Sequence, residues 1–462
     1  MDLRRFPRTF WAANTIELFE RIAYYGMNII LAIYLARRVG FDTASAVTIT
    51  GFFISSLYLL PIPAGAISDK IGFRKGLLIA FSLLALGYGA LGAFPAKGTV
   101  LFSLALIAVG GAFVKPVISG TIKKTSPGDL SKIGFSIFYM MVNVGGFTGK
   151  IVAKALRQDL GSRLSQSNYA ALQDWVRLHV PPFSVTEEIA SRAAAQNPPM
   201  SPESFVEMLK WQGFGMQVIC FFSMAVALVA LLFAAFVYRE PDRSGEPVRS
   251  TKQTFADMFR LLFDGKFMAF ILIFAGFDLM FWQLYLSVPL YIVRHISERA
   301  PMEWIIAINP GMIILFQMPV AWAVRKMKPI GAMALGMGIS TFAMILLGLM
   351  PTLGGVCLSI AIFALGEMTF APRFLDYVSG MAPKGKVGLY LGYSYLRSFI
   401  ANAAGAALTG KLVERYVPET GVREPYKMWF TFAAIGAISL IALFAYQRFV
   451  ASRAAGEEGT SS

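Results

Sequence analysis

Charged residues are scarce in this chain. They make up 15% of its 462 residues, whereas an ordinary soluble protein has about 25%. Hydrophobic residues make up 56%, and the mean hydropathy is +0.59. This composition excludes a water-soluble enzyme of the same length. A membrane-spanning helix needs about 20 apolar residues, so twelve spans leave little chain for a separate soluble domain. We therefore predict an all-α membrane protein.

Cysteine and histidine are almost absent, with two residues of each. Cys220 and Cys357 both lie in apolar runs, which favours small buried side chains over a disulfide. Neither His179 nor His295 lies in the middle of an apolar run, so any proton relay must use carboxylates. The sequence has no group of cysteines and histidines spaced as metal ligands. We predict neither a metal site nor a cofactor, and protons as the coupling ion.

Apolar runs between charged or Gly/Pro-rich breaks predict twelve transmembrane helices. A charged connector at 239–263 follows the sixth run and indicates two six-helix bundles, residues 1–238 and 264–450, with a cytoplasmic tail at 451–462. Residues 156–211 are polar and predict a loop outside the membrane. The predicted spans are 10–37, 44–68, 75–94, 99–123, 132–155, 212–238, 264–294, 302–325, 329–350, 354–381, 386–412 and 426–449.

Lysine and arginine are concentrated in alternate connectors between the predicted spans. Because such residues stay on the cytoplasmic side, this bias predicts that both termini are cytoplasmic. No asparagine lies in an Asn-X-Ser/Thr sequon, which favours a bacterial inner membrane over a glycosylated cell surface. We expect a monomer whose partners are a small-molecule substrate, protons and the lipid bilayer, and no nucleic acid.

The connector between the second and third spans carries a motif, G-x-x-x-D-K-x-G-x-R-K, that begins at Gly65. Glycine allows two helices to approach closely, and Asp69 is predicted to cap the helix that follows. Arg74 is predicted to hold the turn at the cytoplasmic face. The motif resembles the loop signature of the major facilitator superfamily at every defining position. That resemblance implies the two-bundle fold and a role for the loop in gating.

The first span contains Glu17 and Arg21, which are four residues apart and share a helix face, with Glu20 beside them. Charged side chains inside a membrane are costly and usually face a water-filled cavity. One arginine does not neutralise two carboxylates, so one of them is expected to hold a proton more tightly than in water. The pattern indicates a proton-binding site beside an anion-binding arginine, and an ion pair that only packs helices is the alternative.

Six segments resemble the proton-coupled oligopeptide transporter family, in the same order along the chain. They are spread over both halves and indicate a divergent branch of that family. They are E-L-F-E-R-I-A-Y-Y-G at 17–26, S-L-Y-L-L-P at 56–61, F-V-K-P with Ser119 at 113–119, G-F-S-I-F-Y-M-M-V-N-V-G at 134–145, I-N-P at 308–310 with Pro319, and Gly366-Glu367 with Ala371-Pro372.

This resemblance implies roles for named residues. The first-helix glutamates would couple protons. Arg21 and Lys115 would hold a substrate carboxylate, with Tyr25 and Tyr58 lining the pocket. Asn143, Asn309 and Glu367 would receive the substrate amino group and backbone. The asparagines could instead bond between helices, and the tyrosines could be aromatic filling. The predicted proton-coupling residues are Glu17, Glu20, Asp278 and Glu367. The predicted substrate-binding residues are Arg21, Tyr25, Tyr58, Lys115, Tyr139, Asn143, Trp282, Asn309, Glu367 and Arg373.

The seventh and tenth spans depart from the family pattern. Leu286 stands where the family has a glutamate that pairs with the fourth-helix lysine, and Asp278, one turn before Trp282, could substitute. The tenth span carries Arg373 and Asp376 in place of small apolar residues. Arg373 would form an ion pair near Glu367 or bind a second anionic group of the substrate. Arg397 could face the cavity from the eleventh span.

These observations predict a proton-coupled symporter of short peptides or peptide-like zwitterions that works by alternating access. The altered seventh and tenth spans leave a second hypothesis, a superfamily exporter of another organic solute such as a siderophore, modified amino acid or drug. A receptor or membrane-embedded enzyme is the third hypothesis, but the sequence offers no nucleophile–base set and no metal site. We therefore predict a protein that is not an enzyme.

Overall fold

A computed structural model describes residues 3–126, 128, 130–156, 187–194, 199, 201–242, 250–297, 302–418 and 421–459. Most of the predicted external loop 156–211, with His179, lies outside the described residues, as does part of the connector 239–263. The sixth predicted span begins earlier than expected, at Pro202, because Ser201 caps the helix there by accepting a hydrogen bond from the Ser204 amide at 3.2 Å.

The described residues form nineteen α-helices, which we number in chain order. Short one-turn segments precede α1 and follow α2 and α13. The helices are α1 Arg8–Asn28, α2 Leu31–Tyr34, α3 Thr43–Leu59, α4 Pro61–Ile71, α5 Phe73–Ala93, α6 Lys97–Thr125, α7 Ser131–Lys154, α8 Glu187–Ala194, α9 Pro202–Phe236, α10 Thr251–Leu262, α11 Gly265–Phe281, α12 Gln283–Leu286, α13 Val288–Tyr291, α14 Met302–Ala323, α15 Pro329–Leu349, α16 Leu353–Met381, α17 Val387–Tyr393, α18 Leu396–Tyr416 and α19 Pro425–Gly459.

Each of the twelve predicted spans corresponds to one helix or to consecutive helices. By length and composition, nine helices of the described chain can cross a membrane, and the bent pair Thr48–Leu59 and Pro61–Ile71 makes a tenth if it is one span. The predicted first and eleventh spans are not among these ten. Both are rich in charge: α1 contains two glutamates and two arginines, and α18 contains Arg397, Lys411, Glu414 and Arg415.

Four spans predicted to be continuous are broken, and the first of them is interrupted at Ile29 and Ile30, between α1 and α2. Pro61 begins α4 after Leu60, and the two helices are bent by 40° there because proline does not continue a preceding helix without loss of a hydrogen bond. The seventh span is interrupted at Trp282 and Ser287, and the eleventh between Tyr393 and Leu396. Tyr58, Trp282 and Tyr395 therefore lie at or next to points where a helix is interrupted.

The buried apolar residues form two large clusters, one for each half of the chain. The first contains Phe10, Phe81 and Phe135, and all its buried members lie at or before Tyr238. Nearly all buried members of the second lie at or after Leu261. Ile62 and Ala66 of α4 are the exceptions, since they are buried in the second cluster. Helix α4 is therefore a point of close contact between the halves.

One end of the molecule holds the turn at Gly72, Glu240 and α10, and we call it the linker end. The Glu240 carboxylate accepts hydrogen bonds from the amides of Phe73 and Arg74 at 2.8 and 2.6 Å. The Arg74 guanidinium donates to the carbonyl of Ala235 at the end of α9. Glu240 thus caps α5 through the macrodipole and the free amides of its first turn.

Asp69 does not cap the helix that follows it, so that prediction is wrong. Its carboxylate accepts hydrogen bonds from the amides of Gly388 and Leu389, at 2.9 and 2.8 Å, in the other half of the chain. These amides are free because they lie in the first turn of α17. Gly65 makes the contact possible, since a Cβ there would collide with the Gly388 carbonyl. The loop motif therefore joins the two halves.

Further polar contacts join the halves at the linker end. Asp376 accepts a hydrogen bond from the Ser131 hydroxyl at 2.6 Å and lies 3.7 Å from the Lys123 ammonium. The Lys132 ammonium donates to the Met327 carbonyl at 2.9 Å. The two halves are thus in direct contact along this end of the described structure.

Within the second half, α15 and α16 pack closely around a glycine. A Cβ on Gly336 would lie 2.6 Å from the Gly366 carbonyl oxygen and 2.8 Å from Phe370. We expect Gly336→Ala to lower the free energy of unfolding by about 1–3 kcal/mol, because overpacking forces neighbouring atoms to shift. Thermal unfolding in detergent measures this change. Gly338→Ala is the control, since its Cβ would only touch Leu440 at 3.7 Å. Equal melting temperatures for the two variants would contradict the packing.

Candidate functional site

The charged group of the first half lies on α1. The Arg21 Nε lies 3.1 Å from the Glu17 carboxylate, and the guanidinium also contacts the Glu20 carboxylate. All three residues are at most 5% exposed. One oxygen of Glu17, Oε2, is buried and has no hydrogen-bond donor among the described residues. Two carboxylates thus share one guanidinium inside the bundle, as the spacing on the helix predicted.

Lys115 lines the same small cleft as this cluster. Glu20, Arg21, Tyr24 and Tyr88 also line it. The Lys115 ammonium lies 4.8 Å from the centre of the Tyr58 ring and 5.0 Å from that of Tyr395. No ion pair joins this ammonium to a carboxylate of the described residues. Leu286 stands at the position of the glutamate with which the family pairs this lysine.

Aromatic side chains surround these cations. Tyr25 lies under both Arg21, at 5.9 Å, and Lys150, at 5.5 Å. Tyr58 meets the Trp282 ring edge-on at 6.2 Å, which joins α3 of the first half to the break after α11. The indole nitrogen of Trp282 is buried without a hydrogen-bond partner in the described structure. The aromatic residues predicted for the site therefore lie around its cations and between the halves.

Glu367 is the centre of a second polar group, formed mainly by the other half. Its carboxylate accepts hydrogen bonds from the Tyr139 hydroxyl of α7 and from the Asn309 amide, the latter at 2.8 Å. The Tyr285 hydroxyl donates to the Asn309 carbonyl oxygen at 3.0 Å. Three of the predicted residues, Tyr139, Asn309 and Glu367, are therefore in direct contact. The Tyr139 bond crosses from one half to the other.

Asn143 lies one turn beyond Tyr139 on α7. Its amide donates to the Tyr139 carbonyl at 3.0 Å, within the same helix. The side chain is half-buried. The alternative of a hydrogen bond between helices is therefore not observed for Asn143, whereas Asn309 does bond to a neighbouring helix.

Asp278 does not replace the missing glutamate as the partner of Lys115. Its carboxylate accepts hydrogen bonds from the Arg397 guanidinium at 2.5 Å and from the Ser398 hydroxyl at 2.6 Å. The Arg397 guanidinium also lies 4.1 Å from the centre of the Phe374 ring. Asp278 is 2% exposed. Asp278 of the seventh predicted span and Arg397 of the eleventh thus neutralise each other.

In the described part of the chain, no ion pair joins Arg373 to Glu367. The residues are six positions apart on α16, which separates them by about 9 Å along the helix axis. Arg373 is buried and donates to the Val324 carbonyl at 3.0 Å, and its Nη1 has no acceptor among the described residues. Arg373 therefore lies with the contacts of the linker end, away from the Glu367 group.

Sequence analysis missed Tyr285, Tyr395 and Ser398. Each is a common residue type whose partner lies far away in the sequence or across a helix break. One signal was present for the pair next to Ser398. Asp278 and Arg397 are opposite charges within predicted spans, and buried charges are usually paired.

Comparison with known proteins places these groups in a family context. The sequence matches the Major Facilitator Superfamily over residues 15–165 and 211–406. It is 25% identical to the dipeptide and tripeptide permease A of Escherichia coli (strain K12), with 88% of this chain and 84% of the permease covered.

Two solved structures have the same fold. The fucose transporter FucP in its outward conformation has a TM-score of 0.69 at 15% identity and covers 95% of this chain and 98% of its own. A POT family transporter in complex with a thioalcohol-conjugated peptide has a TM-score of 0.61 at 18% identity, with 97% and 99% covered. These likenesses confirm the predicted major facilitator fold.

The Asp278–Arg397 pair provides a test of charge burial. We expect Asp278→Ala to lower the free energy of unfolding by about 3–5 kcal/mol, because it leaves the Arg397 charge uncompensated. Asp278→Ala/Arg397→Ala should cost less than the sum of the two single variants. Thermal unfolding in detergent measures all three.

The exposed pair Glu424–Lys427, at 2.6 Å, is the matched control. Glu424→Gln should leave the melting temperature unchanged because water screens that pair. Strict additivity of the Asp278 and Arg397 substitutions would show that the two charges are not coupled.

Proposed function

The chain belongs to the Major Facilitator Superfamily, an integral membrane family of transporters rather than enzymes, and from this we propose that it is a proton-coupled symporter of short peptides or peptide-like zwitterions. The observation that carries the proposal is the placement of opposite charges on the two halves. Arg21 and Lys115 belong to the first half, and Glu367 belongs to the second. A substrate with a carboxylate at one end and an ammonium at the other would be held between them.

Each end of the proposed substrate has a chemical partner. Arg21 presents a planar guanidinium that can hold a carboxylate with two parallel hydrogen bonds, and Lys115 adds a second positive charge. Glu367 offers an anion to an ammonium, and the amides of Asn143 and Asn309 can donate to or accept from a peptide group. Tyr25, Tyr58, Tyr139 and Trp282 would line the pocket between these ends.

The glutamates of α1 are proposed to carry the coupling proton. Glu17 and Glu20 share one guanidinium, and Glu17 Oε2 has no donor among the described residues. A proton on either carboxylate would remove one negative charge and loosen its hold on Arg21, which frees the guanidinium for the substrate. Glu367 could respond in the same way, since a proton there would compete with the substrate ammonium.

Asp278 and Arg373 have weaker support. Asp278 was predicted to couple protons, and its close bonds to Arg397 and Ser398 make it dependent on both. Arg373 was predicted to bind substrate, but its contact is with the Val324 carbonyl. We propose that Asp278 stabilises the second half and that Arg373 stabilises the linker end.

The linker-end contacts support alternating access. Gly65, Asp69 and the start of α17 form a joint between the halves, and Arg74 anchors the loop to α9. We propose that this joint opens and closes between the bundles 1–238 and 264–450. The lysine and arginine bias supports our proposal that this end, both termini, the connector 239–263 and the tail 451–462 lie in the cytoplasm of a bacterial cell. A monomer in the inner membrane suffices for this mechanism.

The relatives favour peptides over the second hypothesis. The permease of Escherichia coli is named for dipeptides and tripeptides, and one POT family structure contains a conjugated peptide. An exporter of another organic solute has no comparable support among these relatives. The direction of transport still distinguishes the two hypotheses. An inward proton gradient drives a symporter to accumulate its substrate inside, whereas it drives a proton-coupled exporter to expel the substrate.

Uptake of labelled dialanine into proteoliposomes with an imposed inward proton gradient tests the proposal. We expect accumulation that disappears when the gradient is collapsed. Glu367→Gln should reduce the initial rate about 10–100-fold, because a hydrogen bond to a charged group contributes about 1.5–3 kcal/mol. Arg21→Lys should also reduce uptake, since lysine lacks the two-pronged geometry.

Glu203→Gln is the matched control for Glu367→Gln. Glu203 is an exposed glutamate in the first turn of α9, and its substitution should leave uptake unchanged. Correctly folded protein that takes up no dipeptide would contradict the peptide assignment. Gradient-driven expulsion of the label would favour the exporter.

A further inference from the structure

Lys115 is held by one aromatic ring from each half of the protein. Tyr58 lies at the end of α3 in the first half, and Tyr395 lies in the break between α17 and α18 in the second. The ammonium is 4.8 Å from one ring centre and 5.0 Å from the other. Both distances are within the range of a cation–π interaction, which is strongest where water is excluded. All three side chains are half-buried.

The carboxylates that could contact the Lys115 ammonium in place of these rings are either missing from the sequence or bonded to other residues. Leu286, at the position of the family glutamate, is apolar and 40% exposed. The Asp278 carboxylate is bonded to Arg397 and Ser398. Glu17 and Glu20 are in contact with Arg21. The ring faces are therefore the electron-rich groups that the described structure places against the Lys115 ammonium.

Tyr58 and Tyr395 lie next to the row of contacts between α4 and α17 that closes the linker end. We call this row of contacts the seam. On one side of this seam, Asp69, Gly65 and Pro61 follow one another up α4, and Tyr58 comes next. On the other side, Gly388 and Gly392 of α17 are followed by Tyr395. Asp69 bonds to the Gly388 amide, and Cβ atoms on Gly65 and Gly392 would collide with the carbonyls of Gly388 and Pro61.

Spacings of four residues keep Asp69, Gly65 and Pro61 on one side of α4, and Gly388 and Gly392 on one side of α17. Tyr58 and Tyr395 each lie three residues further along, just beyond the ends of these two helices. Lys115 therefore lies at the inner end of a continuous contact between the halves.

We propose that Tyr58, Lys115 and Tyr395 form a cation–π latch that holds the linker end closed. Tyr395 is a positioning residue of this latch: it acts through Lys115 and supplies, from the second half, the attraction that a carboxylate would otherwise supply. Opening the seam separates Tyr395 from Lys115, so the strength of this contact sets how often the linker end opens. The inference rests on the proposed alternating access but not on the identity of the substrate.

The rate at which a cysteine in the seam reacts with a maleimide measures opening without any substrate. Ala66 is 3% exposed and is buried against the second half, so Ala66→Cys should react only when the seam opens. The background is Cys220→Ala/Cys357→Ala, which removes both native thiols. Lys326→Cys, at an exposed position, is the control for reagent access.

A series of substitutions at position 395 distinguishes a cation–π contact from a side chain that only fills space. Tyr395→Phe should keep the wild-type rate. Phenylalanines with one, two and three ring fluorines should raise it stepwise, because fluorine withdraws the electron density that attracts the cation. Tyr395→Leu should raise it about tenfold, the factor that corresponds to about 1.4 kcal/mol. Thermal unfolding of each variant shows whether the protein is folded.

Lys115→Gln should raise the labelling rate by itself and remove the dependence on the residue at 395. The proposal is overturned if the fluorinated series and Tyr395→Leu all label at the wild-type rate. It is also overturned if the effect of Tyr395→Leu persists in the Lys115→Gln background. A latch that behaves as expected in a protein without dipeptide uptake would leave the latch intact and reject only the peptide assignment.

Discussion

The burial of charge inside a helical bundle is the constraint on which the rest of this structure depends. In a membrane each such charge must find a partner or carry a proton. Arg21 lies between Glu17 and Glu20, Asp278 is matched by Arg397, and Glu367 collects two neutral donors. The cluster on α1 has one carboxylate more than its guanidinium can balance. A proton bound to one of these carboxylates would remove the excess negative charge.

The same constraint explains how the two halves are held together. The contacts between them at the linker end combine main-chain amides, carboxylates and closely packed glycines with apolar side chains such as Ile62 of α4. Asp69 on the amides of Gly388 and Leu389 is the clearest case. Such a joint can separate and re-form because water can satisfy the same polar groups when it opens. A joint made only of buried apolar surface would cost more to open.

Much of the fold followed from the sequence because it depends on local properties. Apolar runs located all twelve predicted segments, and the spacing of Glu17, Glu20 and Arg21 placed them on one cluster. The partners of Asp69, Asp278 and Lys115 could not be predicted, since each lies in a distant segment and the choice depends on how helices meet. The break at Pro61 has a local cause, but the breaks at Trp282 and near Tyr395 have none that the sequence alone reveals.

The central claim is that this protein moves protons and peptide together. The most direct test is a reversal-potential measurement in proteoliposomes, in which a dialanine gradient is balanced against the membrane voltage at equal pH. We predict that dialanine entering down its gradient carries protons inward, so that an inside-positive voltage halts net uptake. Dialanine flux that is indifferent to voltage and pH, in folded protein, would contradict the account.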